Sequence, residues 1–187
     1  KADAWFSAGN TGAVMTVARF VLGTLPSVQR AALAAPLPTI KGGVAVILDV
    51  GANVDSKVVH LLQFAVMGEI YYRLIFGTPR PRVALLAIGE EPGKGNELSR
   101  ETYPRMETLP LNFVGNVEGR DILSGAVDVI VCDGFVGNVA LKVSEGVALH
   151  IAALLKKALM GSVASKVGAL LSRNAYKVLR KNIDYTE

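Results

Sequence analysis

Cysteine is nearly absent from this 187-residue chain, and histidine almost as scarce: Cys132 stands alone, with His60 and His150 far apart. A single thiol excludes an internal disulfide and a Cys-rich zinc cluster. Two isolated histidines argue against a His-based metal site and against a His-dependent triad. The compartment this implies is reducing, hence cytoplasmic. Long hydrophobic runs are also missing, since Val44–Val50 and Val127–Cys132 are far too short to span a bilayer. No signal-peptide pattern opens the chain. There is no G-x-S-x-G, no Ser beside a paired His and Asp, and no carboxylate group at metal-ligand spacing. These absences point away from covalent and metal-assisted catalysis, and neither metal nor cofactor is expected.

Aromatic residues make up only 6%, but hydrophobic residues reach 51% against 19% charged. That balance supports a sizeable core and excludes a disordered chain, a collagen-like repeat and a disulfide scaffold. The length suits one large domain or a piece of a larger protein. The chain opens at Lys1 without Met and stops at Glu187 with no terminating element, so it reads as part of something longer. Charge is uneven. Residues 1–150 carry 13 Lys and Arg against 14 Asp and Glu, and residues 151–187 carry 7 against 2. The formal +4 therefore belongs to the C-terminal segment. Two parts are expected: an α/β core over 1–150 and a basic amphipathic helical hairpin over 151–187.

Within the core, short apolar runs end in Gly/Asn-rich turns and lead into helical patterns. Ala4-Trp5-Phe6 precedes Ser7–Gly12 and a helix to about Leu25. Val44–Val50 precedes Gly51–Asp55 and a helix over about Lys57–Phe76. Arg82–Ile88 precedes the loop Gly89–Asn96 and a helix over about Glu97–Thr108. Leu111–Val114 precedes the turn Gly115–Arg120 and a short helix near Asp121–Ser124. Val127–Cys132 precedes the turn Asp133–Asn138 and a helix over Val139–Leu159. Continuous Val/Ile/Leu runs are the signature of strands buried on both faces, and their alternation with helices predicts a mostly parallel sheet. Pro36 and Pro38 mark an extended edge segment. After a break at Gly161-Ser162, a second helix is expected over about Val163–Lys181, with the hairpin tip at Leu159–Val163.

In such a sheet the turns beyond the carboxyl ends of the strands share one edge, where ligands bind. That edge would gather Asn10, Thr11, Asn53, Asp55, Lys94, Asn96, Asn116, Asp133 and Asn138. Gly9 and Gly12 let backbone N–H groups approach an anion closely, and the helix that follows adds a partial positive charge. The Gly-rich loop at Lys94 lacks the Ser/Thr and spacing of a Walker A sequence, but it can deliver an ammonium to a phosphate. Each Gly-Asn turn also has a local reading, as a helix cap or a left-handed turn. Lys94 likewise has one, as a solvated surface lysine. Cys132 reads as a core thiol and both histidines as structural. What the pattern suits is a reaction whose nucleophile is itself a bound anion, held by amides and a lysine.

The motifs themselves resemble a known family. Ser7-Ala-Gly-Asn-Thr-Gly-Ala13, Leu33-Ala-Ala-Pro-Leu-Pro38, Leu48-Asp-Val-Gly-Ala-Asn-Val-Asp55, Gln63-Phe-Ala-Val-Met-Gly68, Gly93-Lys-Gly-Asn-Glu-Leu98, Phe113-Val-Gly-Asn-Val-Glu-Gly-Arg120 and Cys132-Asp-Gly-Phe-Val-Gly-Asn138 resemble, in order and from end to end, the PlsX family of bacterial phosphate acyltransferases. The resemblance implies a three-layer α/β/α fold related to phosphotransacetylases and isocitrate dehydrogenase-like enzymes, and a homodimer. It implies transfer of a fatty acyl group from acyl carrier protein to inorganic phosphate. The acyl phosphate product then feeds a membrane glycerol-3-phosphate acyltransferase. An N-terminal strand with a Gly-rich, His-bearing loop is expected in such proteins and does not occur here.

On this reading Lys94 faces phosphate or the oxyanion, with Asn96 beside it and Asn138 and Asn10 as amide donors. Gly9, Thr11, Gly12, Asn53 and Asn116 complete the phosphate-binding set. Asp55 and Asp133 orient these groups or cap turns. The resemblance also favours peripheral attachment to an anionic membrane, with Leu159, Met160 and Val163 inserting shallowly and Lys156, Lys157 and Lys166 meeting headgroups. A packing hairpin is the other reading of that segment, and no nucleic-acid partner is implied. Two further functions stay open: an NAD(P)-linked, metal-dependent dehydrogenase on the related fold, and a non-catalytic membrane-associated scaffold for acyl carrier protein.

Overall fold

A computed structural model of the chain describes residue 7 and residues 9–183; the expected strand at Ala4–Phe6 lies outside them. Among the described residues five strands form one sheet: β1 (Ala34–Pro38), β2 (Val44–Leu48), β3 (Arg82–Leu86), β4 (Asn112–Val117) and β5 (Val129–Val131). Their order across the sheet is β1-β2-β5-β3-β4. β2, β5, β3 and β4 run parallel, while β1 pairs antiparallel with β2. Pro36 and Pro38 sit on this outer strand, where a missing N–H costs no ladder bond.

Among the described residues six α-helices accompany the sheet: α1 (Thr11–Leu22), α2 (Val58–Phe76), α3 (Glu97–Met106), α4 (Gly134–Met160), α5 (Val163–Leu171) and α6 (Arg173–Ile183). Alternating strand residues divide between two cores. Val46, Leu48, Val83, Leu85, Val129 and Val131 meet Leu61, Phe64 and Ala65 of α2 and Met106 of α3. Ala45, Ile47, Ala84 and Ile130 face the other way, onto Ile122, Val127, Cys132, and Ala140 and Leu141 of α4. The result is the three-layer α/β/α arrangement that the family resemblance implies, around the mostly parallel sheet that the strand pattern predicts.

Three boundaries differ from the sequence expectation. The Gly115-Asn116 pair lies inside β4, not in a turn. Val83 pairs with Phe113 but Leu85 pairs with Asn116, so β4 carries one extra residue there, and that bulge accommodates Gly115 at φ 99°. The turn expected at Asp133–Asn138 is already helix, because α4 starts at Gly134. The last helix is two helices, separated at Ser172.

Beyond its first turns α4 leaves the core; its buried residues are Gly134 and Gly137 alone. Residue 150 lies within this helix. α5 contacts α4 across the Gly161-Ser162 break, with Ser162 capping α5 through a bond from the Ser165 N–H at 3.0 Å. Both helices expose large apolar side chains, among them Leu149 at 73% and Val163 at 79%. α2 and α4 are long and apolar enough to cross a membrane by length and composition, although α2 is part-buried against the sheet.

Candidate functional site

The carboxyl ends of the four parallel strands lead into the segments that carry most of the expected site residues. β2 feeds the turn at 49–55, β3 the loop at 87–96, β4 the turn at 118–120 and β5 the start of α4.

The β2 turn is organised by Asp49, a fully buried carboxylate. Its Oδ1 accepts from the N–H groups of Leu33 (3.0 Å), Gly51 (3.2 Å) and Ala52 (2.9 Å). Its Oδ2 accepts from the backbone N–H of Asn53 at 2.7 Å and from Asn53 Nδ2 at 2.8 Å. A buried charge surrounded this completely by donors is stable without a cationic partner. Sequence reasoning passed over Asp49. The available signal was an Asp at the end of an apolar strand followed by Gly-Ala-Asn, the composition of a turn closed by its own side chain.

Asn53 is consequently a strut. Nδ2 also donates to Ala31 O at 2.8 Å, and Asn53 O accepts from Gly134 N at 2.9 Å. That last bond ties the β2 turn to the N-terminus of α4. Gly137, one turn on, packs so closely on Asp49 O that a Cβ there would collide with it. Asn138 lies beside Gly51, 3.7 Å from where a Cβ would stand. Asp133 caps α4, accepting from Phe135 N at 3.0 Å and Val136 N at 3.1 Å.

Cys132 is buried directly before this cap, and its thiol donates to Asp49 O at 3.4 Å. Burial, with Asp133 and Asp49 nearby, pushes its pKa far above the ordinary thiol value, so it is a core thiol, not a nucleophile. His60 is structural too. Its Nδ1 accepts from Lys57 N at 3.1 Å, and burial, then Arg30 and Lys57, lower its pKa.

Lys94 is exposed on the β3 loop. Its N–H donates to Glu91 O at 3.0 Å, and its stem lies across Gly89. Asn116 braces the same loop from β4, donating from Nδ2 to the same Glu91 O at 2.9 Å; its Oδ1 is buried without a partner. Arg120 adds ion pairs to Glu90 (3.6 Å) and Glu118 (3.2 Å). Gly95, at φ 111°, holds a backbone that favours glycine, and a Cβ there would meet Ser99 Oγ at 2.6 Å. Asn96 then caps α3 through Oδ1, accepting from Ser99 N (2.9 Å) and Ser99 Oγ (2.6 Å).

The N-termini of α3 and α4 thus flank one recess, lined by both caps, Asn96 and Asp133, and by Cys132 and Val136. Each helix end contributes about half a positive charge. Asn53, Asn96, Asn116, Asp133, Asn138 and the Lys94 loop are connected through this edge. Asp55 is exposed nearby in sequence. The Gly9–Gly12 turn stands apart from these connections. Its bonds are local, with Asn10 Oδ1 capping α1 at Ala13 N (3.1 Å) and Thr16 Oγ1 donating to Gly12 O (2.8 Å). The described part of α1, Thr11 included, buries no residue.

The family model described as "Fatty acid synthesis protein" matches residues 1–187. A protein named phosphate acyltransferase from Acidobacterium capsulatum is 55% identical over the whole chain, which covers 55% of that protein. Relatives of the same name from Citrifermentans bemidjiense and Bacillus cereus are 52% and 50% identical, with 53% and 57% of their lengths covered. The chain spans just over half the length of these relatives, and it belongs to their family, the fatty acid synthesis proteins to which the PlsX resemblance pointed.

Proposed function

We propose that this member of the fatty acid synthesis protein family carries the anion-binding and acyl-transfer edge of a phosphate acyltransferase. A phosphate oxygen attacks the carbonyl carbon of an acyl carrier protein thioester. The tetrahedral oxyanion collapses, the C–S bond breaks, and the carrier thiolate leaves with an acyl phosphate as product. Phosphate is partly dianionic near neutral pH and thiolate is a good leaving group, so little general acid or base catalysis is needed. What is needed is positioning and stabilisation of negative charge. The observation that carries this reading is the convergence of two helix N-termini and a lysine-bearing loop at one sheet edge.

Lys94 supplies the mobile cation in this reading. Asn138 and the positive end of the α4 dipole are its counterparts on the β5 side of the edge in this reading, and Asn96 follows it by two residues. Asp49, Asn53, Asn116 and Asp133 act by fixing these segments. Asn10, Thr11 and the Gly9–Gly12 amides, whose bonds within this chain are local, are the further phosphate donors of this reading. The partners that follow are acylated acyl carrier protein, inorganic phosphate, a second subunit and a membrane glycerol-3-phosphate acyltransferase that consumes the product. A cytoplasmic protein held reversibly at an anionic membrane fits that role. The exposed Met160 and Val163 beside Lys156, Lys157 and Lys166 support such attachment.

The test is formation of acyl phosphate from acyl carrier protein thioester and inorganic phosphate by the full-length protein. Lys94→Ala should lower kcat/KM roughly 10²-fold or more, the scale of one strong electrostatic donor, with an unchanged melting profile. Activity within a few-fold of the parent removes Lys94 from the site. No acyl phosphate from the parent with any acyl donor overturns the reading.

A further inference from the structure

We infer that the recess between the N-termini of α3 and α4 receives the first carbons of the acyl chain, next to the reacting carbonyl; this rests on the acyltransferase reading above. The cavity measures about 150 Å³. Its walls are Leu61 from α2, Leu85 and Leu86 from β3, Leu98 from α3 and Val136 from α4. Three of the polar atoms along it are engaged elsewhere. Asn96 Oδ1 is taken by Ser99, Asp133 Oδ1 by the Phe135 and Val136 amides, and the Cys132 thiol by Asp49 O. A wall made mostly of apolar side chains, with Asn96 Oδ1, Asp133 Oδ1 and the Cys132 thiol already paired, offers water few partners and suits an apolar guest.

Position and size select the acyl chain. Both helix caps lie on the recess, so a chain seated there carries its carbonyl to the helix ends that would stabilise an oxyanion. A carrier arm, with its amides, would strand polar groups against leucines. A cavity of this size accepts a benzene molecule, hence about six carbons, and the remainder of a longer chain leaves through the open mouth. Each methylene buried should strengthen binding roughly fourfold. Preference should therefore climb steeply from acetyl to about hexanoyl donors and flatten beyond.

The experiment measures kcat/KM of the full-length enzyme for acetyl, butyryl, hexanoyl, decanoyl and palmitoyl carrier protein at saturating phosphate. In the parent, hexanoyl should exceed acetyl by roughly 10²-fold. Val136→Phe, which places a ring in the recess, should reduce that ratio at least tenfold. Val136→Leu should reduce it by a smaller factor, and it supplies the reading if the larger side chain prevents folding. A hexanoyl-to-acetyl ratio within twofold of the parent in the folded variants overturns the inference, and so does a parent profile with no rise between acetyl and hexanoyl. Both outcomes leave the acyltransferase reading standing. That reading fails separately, if the parent makes no acyl phosphate from any donor.

Discussion

Asp49→Ala tests the architecture of the site edge at its most connected point. The carboxylate accepts five N–H bonds from four residues and is 0% exposed. At about 1.5–3 kcal/mol for each bond to a charged group, simple addition would match the whole stability of a domain. Two facts reduce it. Burying the carboxylate itself costs several kcal/mol, and that cost disappears with the side chain. The Gly51 and Ala52 donors sit on a part-buried turn and can reach water. The two Asn53 donors cannot, and a stranded buried donor costs about 1–3 kcal/mol. The expected loss is therefore about 4 kcal/mol, within a range of roughly 2–6. Urea unfolding of the full-length protein should show a lower midpoint at constant m, and amide exchange at residues 51–53 should accelerate most. Asp49→Asn should recover little, since its NH₂ group confronts N–H donors whichever way it is turned. A loss below about 1 kcal/mol for the alanine variant, or full recovery by asparagine, would refute the reasoning.

Gly137→Ala should destabilise by about 2–3 kcal/mol although helix propensity favours it by about 1, because its Cβ collides with Asp49 O; a stabilised variant in the same urea assay would contradict the packing. Asp128 is paired with Arg82 through bonds of 2.7 and 2.9 Å. Its burial alone would raise the carboxyl pKa, but the Arg82 hydrogen bonds and charge bring it below the ordinary 3.8. A depressed carboxyl contributes stability that is complete above its unfolded pKa and is lost as pH falls through the folded value. The stability gap between parent and Asp128→Asn, about 2 kcal/mol near neutrality, should therefore shrink below about pH 4; a gap that is constant to pH 3 would show the charge contributes nothing. Replacing Leu159, Met160 and Val163 together with Ser should release the protein from anionic liposomes while acyl transfer from soluble carrier protein continues. Equal sedimentation of parent and variant would make the α4–α5 segment a packing element.

How far the sequence led is clearest where it misplaced a residue. Strand positions and the mostly parallel sheet were readable because runs such as Val44–Leu48 and Val129–Val131 are apolar at every position, the mark of a two-sided strand. Two of the three misplacements share one cause, the ambiguity of glycine in a segment of turn-like composition. Gly115-Asn116 has turn composition, yet it forms a bulge whose extra residue keeps Asn116 in the strand and beside Glu91 O. Gly134 and Gly137 also read as turn formers. They are small for a different reason: the first turns of α4 lie against the backbone of Asp49 and Asn53, where no Cβ fits. Local propensity cannot report a contact with a segment some 85 positions away in the chain.

The same limit explains why residue type left the roles of the edge residues open. Asn53 and Asn116 stood as candidate phosphate ligands, Asn96 as a companion of Lys94 and Asp133 as an orienting or capping residue, all from their residue type and their place after strands. In the structure each has its side chain in a cap, a strut or a brace. Polar side chains at a sheet edge can serve the ligand directly or hold the backbone that serves it, and composition is the same for both. What distinguishes them is the count of partners, which only the fold supplies. Asp49 has five donors and no exposure, while Lys94 is exposed and its backbone alone is held. A group committed to its own chain stabilises geometry; a charged group left to solvent at the end of a braced loop is the one placed to meet a substrate. By that reasoning the loss of Lys94 should lower turnover with stability intact, and the loss of Asp49 should lower both together.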